Sequence, residues 1–334
     1  RRVGMIREWM QIWQARNWMK RNESFLSTWH AYVGYKLNLF EQLHQGMTMD
    51  QISTESHLDR AMLSSWVDVG LAVGQLKNTG KGIQPSRKML TYASASSPYS
   101  VGALLQEMME LHFPTLLYFP VAMQTGHKVN FNDQQFAPTV AETSSYLERL
   151  AFPQLNRWVQ GTSPSSILDI GCGQGGYLMR LAQQYRQTRC IGLERNATLA
   201  HNTAEHARKQ GLSNCMIIEA DIDAWPDPEQ TIDMVMLNNI LYYFNEEERR
   251  QLLARIARFI GQRGSITMIT PLRGDNRGKS FAAAFNTFMV SHRNLHSLPS
   301  EIELRSLASD IGFRVGKLKP IVREGSWFFV GLTR

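Results

Sequence analysis

Asp169 stands two residues ahead of a glycine run, Gly171, Gly173, Gly175 and Gly176, that closes a mostly apolar stretch from Ser166 to Ile170. A glycine turn lets a ligand come close to the backbone, and a helix opening behind it points unpaired N–H groups at that ligand. Gly171, Gly173 and Gly176 satisfy the G-x-G-x-x-G spacing that cradles a pyrophosphate. Asp169 argues against a phosphate, because a carboxylate so close to the turn repels like charge and favours a cation. Glu194 follows about 20 residues beyond the glycines, the distance at which an acid at a second strand's end can accept both hydroxyls of a ribose.

These groups need a scaffold, and the pattern around them supplies one. Leu178, Leu181, Ala182 and Tyr185 continue as a helix, so the first unit is strand, tight turn, helix. Further strands are expected at 190–194, 214–222, 232–237 and 264–270, with a last pair near 314–321 and 327–332. That is an α/β fold: a Rossmann-like, doubly wound, mostly parallel sheet with a C-terminal antiparallel hairpin. Ligands of such sheets sit in the crevice beyond the strands' carboxyl ends, which places Asn238, just past the fourth strand, beside the ligand.

The stretch from Ile167 to Leu178 resembles motif I of the class I methyltransferases that use S-adenosylmethionine (SAM). SAM carries an ammonium and a sulfonium, the charges Asp169 would favour. The resemblance implies that Asp169, Gly171, Gly173, Gly175 and Glu194 hold the cofactor, that Asp221 accepts the adenine amino group and that Ile222 packs on the ring. Asn238 would lie near the cofactor's methionine end.

Ala122-Met123-Gln124-Thr125-Gly126, the later Phe136 and Ala141-Glu142-Thr143-Ser144-Ser145 resemble the linker helices of the winged-helix small-molecule methyltransferases, a family that includes plant and bacterial O-methyltransferases. The resemblance covers roughly residues 30 to 334. It implies methyl transfer to a small aromatic or hydrophobic acceptor, oxygen first and nitrogen or carbon as alternatives, in a homodimer with a role in secondary metabolism. The pocket would be walled by Tyr118, Tyr243, Phe285 and Met289. One departure is plain: many relatives carry a histidine base after the fourth strand, where this chain has Tyr242. A phenol with a pKa near 10 is a poor base at neutral pH. Tyr242 would then position the substrate, another residue would take the proton, or the acceptor would need no strong base. His292 is the replacement candidate. His292 and His296, four apart, suggest one helix face, but no third ligand accompanies them and no metal is expected.

The front of the chain reads as helical. Residues 1–21 set Met5, Ile6, Trp9, Met10, Ile12 and Trp13 among arginines and lysines. Such a helix can lie on a membrane surface; packing on its own domain or on a second subunit is the favoured reading. One helix is expected across Tyr35 to Leu43, closed by Gly46. Thr48 with Gln51 forms a capping box, Asp59 caps a longer helix, and 75–78 and 81–84 form a hairpin around Thr79-Gly80. This is a winged-helix layout, yet its would-be recognition helix offers only Arg60 as a cation, so nucleic acid is not an expected partner. The expected domains are an arm at 1–30, a helical winged-helix-like dimerisation and substrate domain at 31–155, and a SAM-binding catalytic domain at 156–334.

Composition bounds the rest. A chain of 334 residues, 43% hydrophobic and 19% charged, can bury two cores. It has no apolar run of the roughly 18 residues that spans a bilayer. Cys172, Cys190 and Cys215 lack metal spacing, which suits a reducing, cytoplasmic setting. The net charge of +7 permits an anionic partner without requiring one. Three other readings are a nicotinamide-dependent oxidoreductase, against which Asp169 speaks, a SAM-sensing winged-helix regulator, and a non-catalytic pseudo-methyltransferase.

Overall fold

The structure, a computed structural model, describes residues 2–131, 133–274, 279–321 and 327–334, with side chains described outside 2–8, 133–142 and 279. Met5, Ile6, Phe136, Ala141 and Glu142 therefore lie outside the described side chains. The chain divides into two units, residues 1–114 and 115–334.

The first unit opens with α1 (Arg2–Met19) and α2 (Asn22–Lys36). On α1, Trp9, Met10, Ile12, Trp13, Trp18 and Met19 are all exposed. At about 100° per residue these six side chains spread around the helix, with Trp9 and Trp13 about 40° apart. The helix expected across Tyr35 to Leu43 is two. It breaks at Leu37–Asn38, where Asn38 turns left-handed (φ 55°), and resumes as α3 (Leu39–His44). Asparagine tolerates that conformation better than most residues, so an unbroken apolar pattern hid the break.

The caps behave as read. Thr48 opens α4 (Met49–Glu55) with a full capping box to Gln51. Asp59 opens α5 (Arg60–Ala72) by accepting the Met62 N–H at 2.8 Å. The hairpin pairs β1 (Leu76–Thr79) with β2 (Gly82–Pro85), one residue later than expected, so Gly80-Lys81 make the turn. Leu39, Phe40, Leu43, Ile52, Trp66 and Leu76 fill this unit's core. Next come α6 (Arg87–Tyr92), α7 (Gly102–Glu107), a π-helical turn at Met108–His112, and α8 (Phe113–Thr125), which carries the boundary between the units.

The second unit continues with the long α9 (Asp133–Thr162) and then alternates strand and helix: β3 (Ser166–Ile170), α10 (Gly176–Gln184), β4 (Arg189–Glu194), α11 (Ala197–Lys209), β5 (Cys215–Glu219), β6 (Ile232–Asn238), α12 (Glu246–Phe259), β7 (Ile260–Pro271), α13 (Lys279–Val290), α14 (Glu301–Asp310), β8 (Arg314–Pro320) and β9 (Trp327–Thr333). The sheet order is β5-β4-β3-β6-β7-β9-β8. The pairs from β5 to β7 are parallel; β9 runs antiparallel to both β7 and β8. β3 and β6 are buried almost throughout, as strands covered on both faces must be. Two apolar layers flank the sheet, one built on Leu252, Ile256 and Leu304, the other on Leu155, Leu178 and Leu181. The order of strand addition switches sides at β3, with β4 on one flank and β6 on the other, and this opens the crevice at their carboxyl ends.

Candidate active site

The glycine turn after β3 is shaped as its residues require. Gly171, Gly173 and Gly175 all have positive φ, at 69°, 56° and 70°, a region costly for any other L-residue. A Cβ added to Gly173 would meet nothing within 4 Å, so the turn leaves open space there. Gly175 sits at the N-cap of α10, whose first N–H groups face the crevice.

Asp169 is 2% exposed, and its Oδ1 is buried with no hydrogen-bond partner among the described residues. Burial, then the nearby Glu194 and Glu148 carboxylates, push its carboxyl up to about 8. A buried acid beside other acids costs stability unless a donor or a cation joins it. Glu194, at the end of β4, ties the turn together: its Oε2 accepts the Gly173 N–H at 3.0 Å and its Oε1 the Asn196 N–H at 2.9 Å. Thr203 of α11 donates to the Gly173 carbonyl at 2.9 Å and fixes the turn from the far side.

Beyond β5, Asp221 is exposed and accepts the Asp223 N–H at 3.0 Å in an Asx turn, while Ile222 is buried in the core beside the sheet. Asn238 ends β6; its Oδ1 accepts the Ile269 N–H at 3.2 Å and its Nδ2 is buried without a partner among the described residues. Asn239 is left-handed (φ 55°) and its Oδ1 accepts the Trp327 indole N–H at 2.8 Å. A non-glycine residue held there marks a turn that its surroundings over-determine.

A 3-10 turn at Leu241–Tyr243 follows. Its rings start an aromatic series. Tyr242 lies 5.1 Å from Tyr243 and 6.0 Å from Phe285, Phe285 lies 5.1 Å from Trp327, and Phe288 lies 4.5 Å from His292. Phe285 and Met289 are buried; Tyr118 is 39% exposed on α8. The guanidinium of Arg195 lies 5.9 Å over the Tyr243 ring.

His292 is 4% exposed, and its Nδ1 lies 2.8 Å from the Phe288 carbonyl. A carbonyl only accepts, so Nδ1 carries a proton. The expected helix face shared by His292 and His296 is not formed: α13 ends at Val290, before either residue. Its last turn ends in hydrogen bonds from Ser291 and His292 N–H back into the helix. No group of three or more metal-ligating side chains occurs among the described residues.

Sequence reading passed over several groups here. Arg249 of α12 is fully buried, donates to the Leu241 carbonyl at 2.8 Å and to the Ser297 carbonyl, and pairs with Glu303 of α14 at 2.6 Å. Glu148 of α9 pairs with Arg180 of α10 at 3.2 Å. No motif marks either residue; one signal available was an arginine among the inward-facing positions of the amphipathic α12.

Residues 167–264 match the family model described as a methyltransferase domain. The chain is 22% identical to N,N-dimethyltransferase OxyT of Streptomyces rimosus, with 96% of each chain covered. Curated relatives with stronger local matches, 29–33% identical, are covered over only 20–27% of their own length. Among solved structures, the chain is similar to a candidate O-methyltransferase from Nostoc punctiforme (TM-score 0.78, 18% identity, 96% of this chain and 99% of that one). It is also similar to human N-acetylserotonin methyltransferase in complex with SAM (TM-score 0.70, 17% identity, 97% and 98%). At these identities the solved structures establish a shared fold. The chain thus carries a methyltransferase domain at residues 167–264, and it shares its fold with these solved methyltransferase structures.

Proposed function

We propose that the chain transfers a methyl group from SAM to a small aromatic or hydrophobic acceptor, with oxygen the favoured acceptor atom. The observation that carries this reading is the buried Asp169 carboxylate, unpartnered at Oδ1, beside a turn with open space at Gly173. A cationic ligand satisfies that carboxylate; a diphosphate would add charge to it. Asp169, Gly171, Gly173, Gly175 and Glu194 hold the cofactor, with Asp221, Ile222 and Asn238 along its length. When bound, SAM supplies an electrophilic methyl: the acceptor's lone pair forms the new bond as the methyl–sulfur bond breaks, and that electron pair stays on sulfur.

The rest of the work falls to positioning and to the proton. Tyr242, Tyr243, Phe285 and Met289, with Tyr118, wall the acceptor site, hold an aromatic ring by stacking and keep water out. Tyr242 orients the acceptor. For a hydroxyl acceptor, His292 takes the proton that the oxygen gives up. A second reading is transfer to nitrogen, supported by Tyr242 at the usual histidine position: a neutral amine attacks with its own lone pair and sheds its proton to water afterwards.

Around this chemistry we assign a cytoplasmic homodimer acting in secondary metabolism, with an arm at 1–30, a winged-helix-like dimerisation and substrate domain at 31–155 and the catalytic domain at 156–334. The order helix, short helix, helix, hairpin supports the front-domain reading. The free cysteines fit a reducing compartment.

The test uses SAM with a labelled methyl group and matched panels of phenols and aromatic amines. Label should move to phenols, and His292→Asn should lower kcat on phenols by about 100-fold or more while sparing amines. Transfer to amines alone would favour the second reading. Bound SAM with no transfer to either panel would point to the pseudo-enzyme.

A further inference from the structure

The acids at the glycine turn include one that no motif assigns. Glu148 comes from α9, and its carboxylate lies against the first residue of α10: a Cβ on Gly176 would run into Glu148 Oε2. That glycine leaves the room Glu148 occupies. The Oε1 of Glu148 is held by Arg180 at 3.2 Å, and Arg180 in turn stacks over Phe152 at 4.4 Å, so the side chain is fixed in place.

The surroundings of Glu148 hold buried polar groups without partners among the described residues. Asp169 of β3 lies nearby with Oδ1 buried and unpartnered, and the Tyr177 hydroxyl of α10 is buried and unpartnered as well, both among the described residues. Glu148 raises the pKa of both neighbours, and Glu194 adds to the charge on Asp169. Burial pushes Glu148's own carboxyl up, against the opposing pull of Arg180 and Arg149. Arg180, 43% exposed, pairs with Glu148 and leaves Asp169 Oδ1 without a donor among the described residues. Acids gathered at a helix N-terminus gain from its dipole, but that gain does not supply the missing donors for Asp169 Oδ1.

We infer that Glu148 is a further binding residue of this site, and that with Asp169 it takes the α-ammonium at the amino-acid end of SAM. The inference rests on the cofactor reading above and adds a residue from outside the sheet to it. An ammonium has several N–H donors, enough for Asp169 Oδ1 and Glu148 Oε2 together. Held there, it puts one positive charge among three carboxylates. The long helix α9, which precedes the sheet in the chain, thereby becomes part of the cofactor site.

Calorimetric titration of the full chain with S-adenosylhomocysteine (SAH) and with 5′-methylthioadenosine, which lacks the amino-acid end, tests this. Glu148→Gln should weaken SAH binding about 10-fold or more, the worth of a charge-assisted hydrogen bond, and leave methylthioadenosine within about two-fold. A SAH analogue lacking the α-amino group gives a second comparison. It should bind the unaltered protein at least about 10-fold more weakly than SAH, and Glu148→Gln should weaken it no further. Unchanged SAH affinity in Glu148→Gln would overturn the inference while leaving the cofactor reading intact, as would an equal loss for both ligands. Failure of both SAH and methylthioadenosine to bind the unaltered protein would overturn the cofactor reading and this inference with it.

Discussion

At the scale of single residues, the account turns on Asp169. Its folded-state pKa of about 8 lies far above the ordinary carboxyl value. The unfolded chain therefore loses this proton near the ordinary value, while the ligand-free fold keeps it until near pH 8. Across that window the unfolded state binds fewer protons, so stability falls as pH rises. The melting temperature of the ligand-free protein should decline between pH 5 and about 8, and Asp169→Asn should flatten that decline. Parallel profiles for the two proteins would contradict the assignment. Tyr242→Phe belongs to the same scale. If the phenol only orients the acceptor, kcat should fall by less than about 10-fold, whereas a proton-transfer role costs about 100-fold or more. Asp169 and Glu194 were legible because acid and glycine spacing is itself chemistry. Glu148 was not, because its meaning depends on which residue of α10 it meets.

At the scale of elements, the turn after β6 is held from outside. Arg249 donates to the Leu241 carbonyl, and the His296 N–H donates to the Tyr242 carbonyl at 2.8 Å. Replacing Arg249 by Met leaves the buried Glu303 carboxylate alone, which should cost about 3–5 kcal/mol in urea unfolding, and Arg249→Met with Glu303→Met together should recover part of that loss. An Arg249→Met protein as stable as the parent would refute this role. The same scale explains which elements could be read. β3, β6, β8 and β9 stand within a residue or two of their expected limits, because buried runs and turn residues bound them. β7 starts at Ile260, earlier than expected, because a parallel partner in β6 extends it through Gly261 and Gly264, residues with no strand preference of their own. The break at Asn38 rests on local backbone hydrogen bonds that periodicity does not record.

At the scale of the whole molecule, the doubly wound sheet was legible as alternating buried runs and amphipathic helices. The insertion of β9 between β7 and β8 gives the C-terminal hairpin its place in the sheet. The exposed tryptophans around α1 bear on assembly. If α1 serves the proposed homodimer, sedimentation should give twice the 38.2 kDa chain mass, and Trp9→Glu with Trp13→Glu should return it to one. The central claim concerns charge: the crevice at the head of β3 is built for a cation. It is tested most directly by calorimetry of SAM and of NAD in two buffers of different ionisation enthalpy near pH 7. SAM should bind with proton release to the buffer as Asp169 ionises, Asp169→Asn should bind it without that release, and NAD should give no heat. Binding of NAD, or SAM binding with the same proton exchange in Asp169→Asn as in the parent, would contradict the account.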